Sequence, residues 1–156
     1  LTAAYTILGN TASSVTCNFK ANGYRLPTEA EWEMAAKGGQ LYTYSGSDDA
    51  DEVAWYRENS GRRYRTVGYQ KKPNAYGIYD MTGNVAEWCW DWYSEEYPTS
   101  LTEFINPRGP ATGTLKVIRG GSVNNGLGTN LSVVYRTKGS PAKGYPFVGF
   151  RLVRTY

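Results

Sequence analysis

Histidine is absent from this chain, and cysteine and methionine occur only twice each in 156 residues. Without histidine there is no Ser-His or Cys-His nucleophile pair, no His-ligated zinc or non-haem iron, and no imidazole general base. Cys17 and Cys89 lie outside any C-x-x-C pair. They form either one disulfide in an oxidising compartment or two separate thiols. Long apolar runs are also missing: no stretch is long enough to span a membrane, and no signal peptide is recognisable. Nor does either charge dominate. Seventeen Lys and Arg against fourteen Asp and Glu leave +3, with no block of like charge, so neither nucleic acid nor an anionic membrane is signalled as a partner.

What the chain has in excess is glycine and tyrosine, 18 and 14 residues, which means many turns and many amphipathic rings. The densest stretch runs from Asp80 to Trp92. Trp88, Trp90 and Trp92 alternate there, so in an extended segment their rings leave one face. Asp80, Asn84 and Glu87 supply hard oxygen donors just upstream, and Gly83 allows a sharp bend. Two readings stand side by side: a calcium loop using carboxylates and backbone carbonyls, or a turn whose polar side chains bond their own backbone. The EF-hand spacing is absent.

Elsewhere the pattern is that of an α+β domain with many loops. Residues 3–8 and 14–19 read as a tight hairpin. Thr28 followed by Glu31 makes a capping box, Glu29 and Lys37 complement the helix dipole, and Gly38 ends the helix. Trp32, Ala35 and Ala36 mark its inner face. Capping and solvation account for Glu29, Glu31 and Glu33 without catalysis. Residues 40–72 are polar and glycine-rich, with Trp55 expected to anchor them to the core and Arg62, Arg63 and Arg65 read as a solvated basic turn. Residues 93–113 are loop, their path set by Pro98, Pro107 and Pro110. Strands are expected at 115–119, 131–136 and 147–154, the last with Phe150 and Leu152 facing the core.

Four segments in one order carry a resemblance. They are Tyr24-Arg-Leu-Pro-Thr-Glu-Ala-Glu-Trp-Glu33, Asn74-Ala-Tyr-Gly-Ile-Tyr-Asp-Met-Thr-Gly-Asn-Val-Ala-Glu-Trp88, Arg119-Gly-Gly-Ser122 and Gly149-Phe-Arg151. Together they resemble the formylglycine-generating enzyme (sulfatase-modifying factor) domain family over almost the whole chain from Tyr24. The resemblance implies an irregular C-type lectin-like fold, loop-rich with short antiparallel strands. It also implies a structural calcium site at Asp80, Gly83, Val85 and Glu87; a second family calcium site, near residues 53–65, is not recognisable.

The oxidases of this family bind copper through two cysteines shortly after the Arg-Gly-Gly-Ser motif. Those positions fall here on Asn125 and near Asn130, and no cysteine follows Cys89. Asparagine cannot serve as a soft thiolate ligand for Cu(I). The expected state is therefore a retained fold with lost chemistry, no copper and no enzyme activity. One branch of the superfamily fits: the variable proteins of diversity-generating retroelements, which display a changeable surface on a rigid scaffold. Residues 123–137 contain only Val, Asn, Gly, Leu, Thr, Ser, Tyr and Arg, all reachable from an asparagine codon by adenine changes.

Val123, Asn124, Asn125, Gly126, Leu127, Val134 and Tyr135 are accordingly expected to form one exposed ligand-binding face. Their neutral, mixed chemistry suits a protein ligand rather than phosphate. Residues 1–156 are expected to be a single domain, the C-terminal part of a longer one whose N-terminal segment packs against the sheet. The expected location is the cell surface or extracellular space, with any lipoprotein anchor in a preceding segment. The alternative function is a formylglycine-generating oxidase with its cysteines supplied elsewhere.

Overall fold

A computed structural model describes residues 1–96 and 105–155; the path expected from Pro98 lies outside them. Strands β1 (Tyr5–Ile7) and β2 (Val15–Cys17) pair antiparallel as the predicted hairpin. Strand β3 (Tyr24–Arg25) leads into helix α1 (Glu29–Lys37). The capping box forms as predicted: Glu31 N–H donates to Thr28 Oγ1 at 3.2 Å and Thr28 N–H to Glu31 Oε2 at 2.8 Å. Gly38 closes the helix with φ 57°, where a Cβ would be strained.

Two one-turn helices follow, α2 (Ala50–Val53) and α3 (Arg57–Ser60). The main sheet is built from β4 (Ala86–Trp92), β5 (Lys116–Arg119), β6 (Arg136–Gly139) and β7 (Val148–Gly149), in the order β6-β5-β4-β7. Only the β4–β7 pair is parallel. Strand β8 (Val153–Arg154) returns to pair with β3. Helix α1 lies on β4 and β5, and Trp32, Ala36, Met81, Cys89, Val117 and Val133 fill the space between them.

The tryptophan strand is extended, but the face it buries is the polar one. Glu87, Cys89 and Asp91 point inward, while Trp88, Trp90 and Trp92 are half-buried. The reason lies in α1. Its Trp32 indole N–H donates to Glu87 Oε2 at 2.7 Å, and the Glu29 N–H, one of the unpaired amides of the helix start, donates to Asp91 Oδ2 at 2.8 Å. The tryptophans gain their cover from outside the core. Tyr5 stacks on Trp90, Tyr145 meets Trp88 edge-on, and the Lys116 ammonium lies over Trp90 and Trp92.

Burial raises the Asp91 carboxyl to about 6 and lowers the Lys116 ammonium to about 8. The folded chain therefore binds the Asp91 proton more tightly than the unfolded chain. Its contribution to stability is present below pH 4 and is lost as pH rises through 6. Asp91→Asn should flatten the urea-derived stability profile between pH 4 and 7.5 by on the order of 2 kcal/mol; an unchanged profile would exclude Asp91 as its source.

Three expectations need correction. Residues 131–136 are not a strand: a 3₁₀ turn spans Thr129–Leu131, and β6 begins only at Arg136. Phe150 and Leu152 face solvent, 64% and 52% exposed, because Arg151 between them is drawn inward by Glu87 at 2.6 Å. The strand expected at 147–154 is two short ones, β7 and β8, with residues 150–152 outside both. Trp55 does tie its region to the core as expected, by a backbone bridge to Gly83. The open question about the cysteines is also answered: Cys17 and Cys89 are free thiols. Cys89 lies in the core, where burial pushes its thiol well up.

Candidate ligand-binding surface

The chain leaves β5 through Arg119-Gly-Gly-Ser122 and runs around the open end of the sheet before β6. Arg119 is fully buried. Its guanidinium donates to the carbonyls of Val133 (3.0 Å), Val134 (3.0 Å) and Tyr135 (2.7 Å) and to Glu33 Oε2 (2.5 Å), and it lies over the Trp32 ring. A second clamp comes from α3. The Arg57 guanidinium donates to the Asn124 carbonyl at 2.6 and 3.1 Å, the Arg57 N–H to the Asn125 carbonyl at 2.9 Å, and the Leu127 N–H to Glu58 Oε2 at 3.2 Å. Both clamps hold main-chain atoms of the loop, so they do not depend on which side chains it carries.

The seven residues expected on this surface divide. Asn124, Leu127 and Val134 are exposed, Leu127 by 59% and Val134 by 58%, and Gly126 and Tyr135 are half-buried. A Cβ at Gly126 would stand 3.1 Å from Glu58 Oε1 and 3.6 Å from the Arg57 guanidinium, so a side chain there asks the flexible end of Glu58, itself a clamp residue, to give by a few tenths of an ångström. Val123 is a correction: it is completely buried. Its N–H donates to the Asn84 carbonyl at 3.0 Å, which pins the residue against the scaffold and turns its side chain inward. Asn125 also differs from expectation, because its Oδ1 accepts from Ser122 N–H (2.9 Å) and Ser122 Oγ (3.0 Å). Its amide closes its own turn. Thr129 and Asn130 are exposed and were not among the expected residues; their small polar character alone gave no signal.

The Asp80–Glu87 loop passes beneath this surface. Asp80 and Asn84 both adopt left-handed backbone conformations, φ 57° and 60°. A Cβ at Gly83 would stand 2.3 Å from the Trp55 carbonyl oxygen, so only glycine fits. The polar side chains fasten the 65–68 segment: Asp80 Oδ2 accepts from Gly68 N–H at 2.8 Å, and Asn84 exchanges two hydrogen bonds with the Arg65 main chain, at 2.9 and 3.1 Å.

As a cation site, three of the four expected ligands are left available. Asp80 Oδ1 is buried without a hydrogen-bond partner, and among the described residues nothing donates to the Gly83 or Val85 carbonyls. Glu87 does not fit as it stands, since its oxygens already hold Trp32 Nε1 and the Arg151 guanidinium, at 2.6 to 2.8 Å. Burial raises the Asp80 carboxyl above its usual range.

Beside α3 lies an open cavity of about 450 Å³ lined by Trp55, Asn59, Tyr64, Arg65, Tyr69 and Gln70, among others. Tyr69 stacks on Trp55 with ring centroids 6.2 Å apart.

Residues 3–156 match the family described as the sulfatase-modifying factor enzyme 1-like domain. The chain belongs to this family, that of the formylglycine-generating enzymes. A solved family structure, Treponema denticola variable protein 1, is 40% identical with a TM-score of 0.81, over 90% of this chain and 50% of that one. The chaperone protein LppX of Paenibacillus barcinonensis is 42% identical over 80% of this chain and 53% of its own. The formylglycine-generating enzyme of Thermomonospora curvata is 37% identical over 83% of this chain and 48% of its own. The chain thus spans about half the length of these curated relatives. Its fold is the family's loop-rich α+β version of the C-type lectin-like architecture. Among the described residues, no helix is long and apolar enough to cross a membrane. Where the resemblance puts the first oxidase cysteine stands the turn-closing Asn125, and the second falls near the exposed Asn130.

Proposed function

We propose that this domain is a non-enzymatic protein-binding module that displays Asn124, Gly126, Leu127, Val134 and Tyr135 on a rigid family scaffold. One observation carries the reading: Arg119, Arg57 and Glu58 grip the loop through main-chain atoms only. Side chains can then change without releasing the backbone. The missing cysteine pair and the likeness to a protein named as variable support it further. Diversification by a retroelement and display at the cell surface are part of the same proposal.

The test is a display library randomised at these five positions and selected against unrelated purified proteins. Folded variants with target-specific binding are expected, each substitution changing stability by no more than about 0.5 kcal/mol. A library that fails to fold, or folds and yields no binders, would defeat the reading. Purified protein supplied with copper should leave a cysteine-containing sulfatase peptide unconverted; formation of the aldehyde would return the oxidase to first place.

A structural calcium ion at Asp80, Gly83, Val85 and Glu87 belongs to the proposal with a condition set by Arg151. Calcium and the guanidinium compete for Glu87, so wild-type binding should be weak. Arg151→Gln should bind calcium at least about tenfold more tightly by isothermal titration, a change of roughly 1.4 kcal/mol. Absence of binding in both proteins would remove calcium from this loop.

A further inference from the structure

The cavity beside α3 has a chemistry of its own. Arg65 is the one charged residue lining it. Its guanidinium stands 5.2 Å from the centre of the Trp55 ring and donates to the Ser60 carbonyl at 3.2 Å. Among the described residues no carboxylate lies within ion-pair distance of Arg65. Lys71 adds a second cation, 4.3 Å from the Trp55 ring centre. Tyr64 and Tyr69 are 67% and 49% exposed, a large aromatic area left in water beside these cations.

The cavity is also linked to the display loop through α3. Asn59 lines it, and the preceding residues of the same helical turn, Arg57 and Glu58, clamp residues 124–127. Asn84 gives a second link, holding Arg65 through its side chain and Val123 through its carbonyl.

We propose that Trp55, Tyr64, Arg65 and Tyr69 form a fixed subsite that takes a carboxylate-bearing segment of the protein ligand, an acidic peptide with an adjacent aromatic residue. The proposal rests on the protein-binding reading for its setting. The guanidinium receives the carboxylate in a charge-assisted pair, the rings receive the neighbouring apolar or aromatic group, and the Gln70 side chain offers hydrogen bonds to its main chain. The subsite supplies a constant part of the affinity, while the loop beside it sets which ligand is chosen.

The experiment uses the full 156-residue chain, isotope-labelled, titrated with acetyl-Glu-Tyr-Glu-amide and with acetyl-Gln-Tyr-Gln-amide. The reporter is the Trp55 indole N–H, which donates to the Tyr69 carbonyl at 2.9 Å. The acidic peptide should shift that resonance, the neutral peptide should bind roughly tenfold more weakly, and Arg65→Gln should remove the difference. The peptide titration tests the subsite and the randomised library tests the display loop, so loss of the display reading and loss of the subsite are seen separately. Equal binding of both peptides, no shift with either, or a preference for sodium glucuronate over the acidic peptide would overturn the proposal. Arg65→Lys keeps the charge without the planar fork and should retain part of the preference, which guards against misreading a variant that folds poorly.

Discussion

Arg119→Met is expected to lower the folding free energy by about 3–5 kcal/mol, the range for removing one partner of a buried ion pair. The side chain has no exposed surface, and Glu33, 21% exposed, is its direct partner. The substitution strands more than that carboxylate. The carbonyls of residues 133–135 lose their donor together, and that of Val133, whose bond is buried, adds its own desolvation cost. Lysine would not repair this, because a single ammonium cannot reach Glu33 and three carbonyls on the geometry of a planar fork. Urea denaturation reads the loss, and hydrogen exchange locates it: amides of 133–136 should open first. Lys138→Met is the control. Its pairing with Glu95 is on the surface, so no measurable change is expected. Equal effects from the two substitutions would show that Arg119 does not organise the end of the sheet.

Local chemistry made part of this fold readable. The capping box of α1 requires only Thr28 and Glu31 three residues apart, and the tryptophan alternation requires only a strand. Long-range contacts decided what could not be read. Leu131 and Val133 alternate like strand residues and are both buried, yet Leu131 ends a 3₁₀ turn and the carbonyls of residues 133–135 are held by a guanidinium from β5 instead of a neighbouring strand. Phe150 and Leu152 looked like a core face, but the ion pair of Arg151 with Glu87, 64 residues away in sequence, turns that face outward. The resemblance drew attention to residues 123–135 and to the Asp80 loop. It could not show that Asp80 and Asn84 brace the Arg65 segment, nor that Arg65 lies on Trp55. Arg62 and Arg63 are exposed as a solvated turn requires, and only Arg65 is half-buried.

The second large effect should come from within the loop itself. Val123→Asn is expected to destabilise the domain by about 3–5 kcal/mol, whereas Leu127→Asn, four residues along, should change stability by no more than about 0.5 kcal/mol. Val123 is fully buried and Leu127 is 59% exposed. At 123 the substitution removes branched apolar contact and puts an amide where the side chain has only core around it, combining lost transfer energy with an unsatisfied polar group. At 127 the asparagine stands in water, and the one contact that matters there, Leu127 N–H to Glu58, is made by the backbone. Val123→Ile keeps the chemistry and adds one methylene, so it separates polarity from volume: a loss smaller than that of asparagine identifies polarity as the cause. The comparison bears directly on function. A position free to vary in a diversified surface has to tolerate asparagine, and burial denies that to residue 123. If the asparagine variants at 123 and 127 were equally stable, Val123 would return to the variable face and the boundary between scaffold and display would lie earlier, at Ser122.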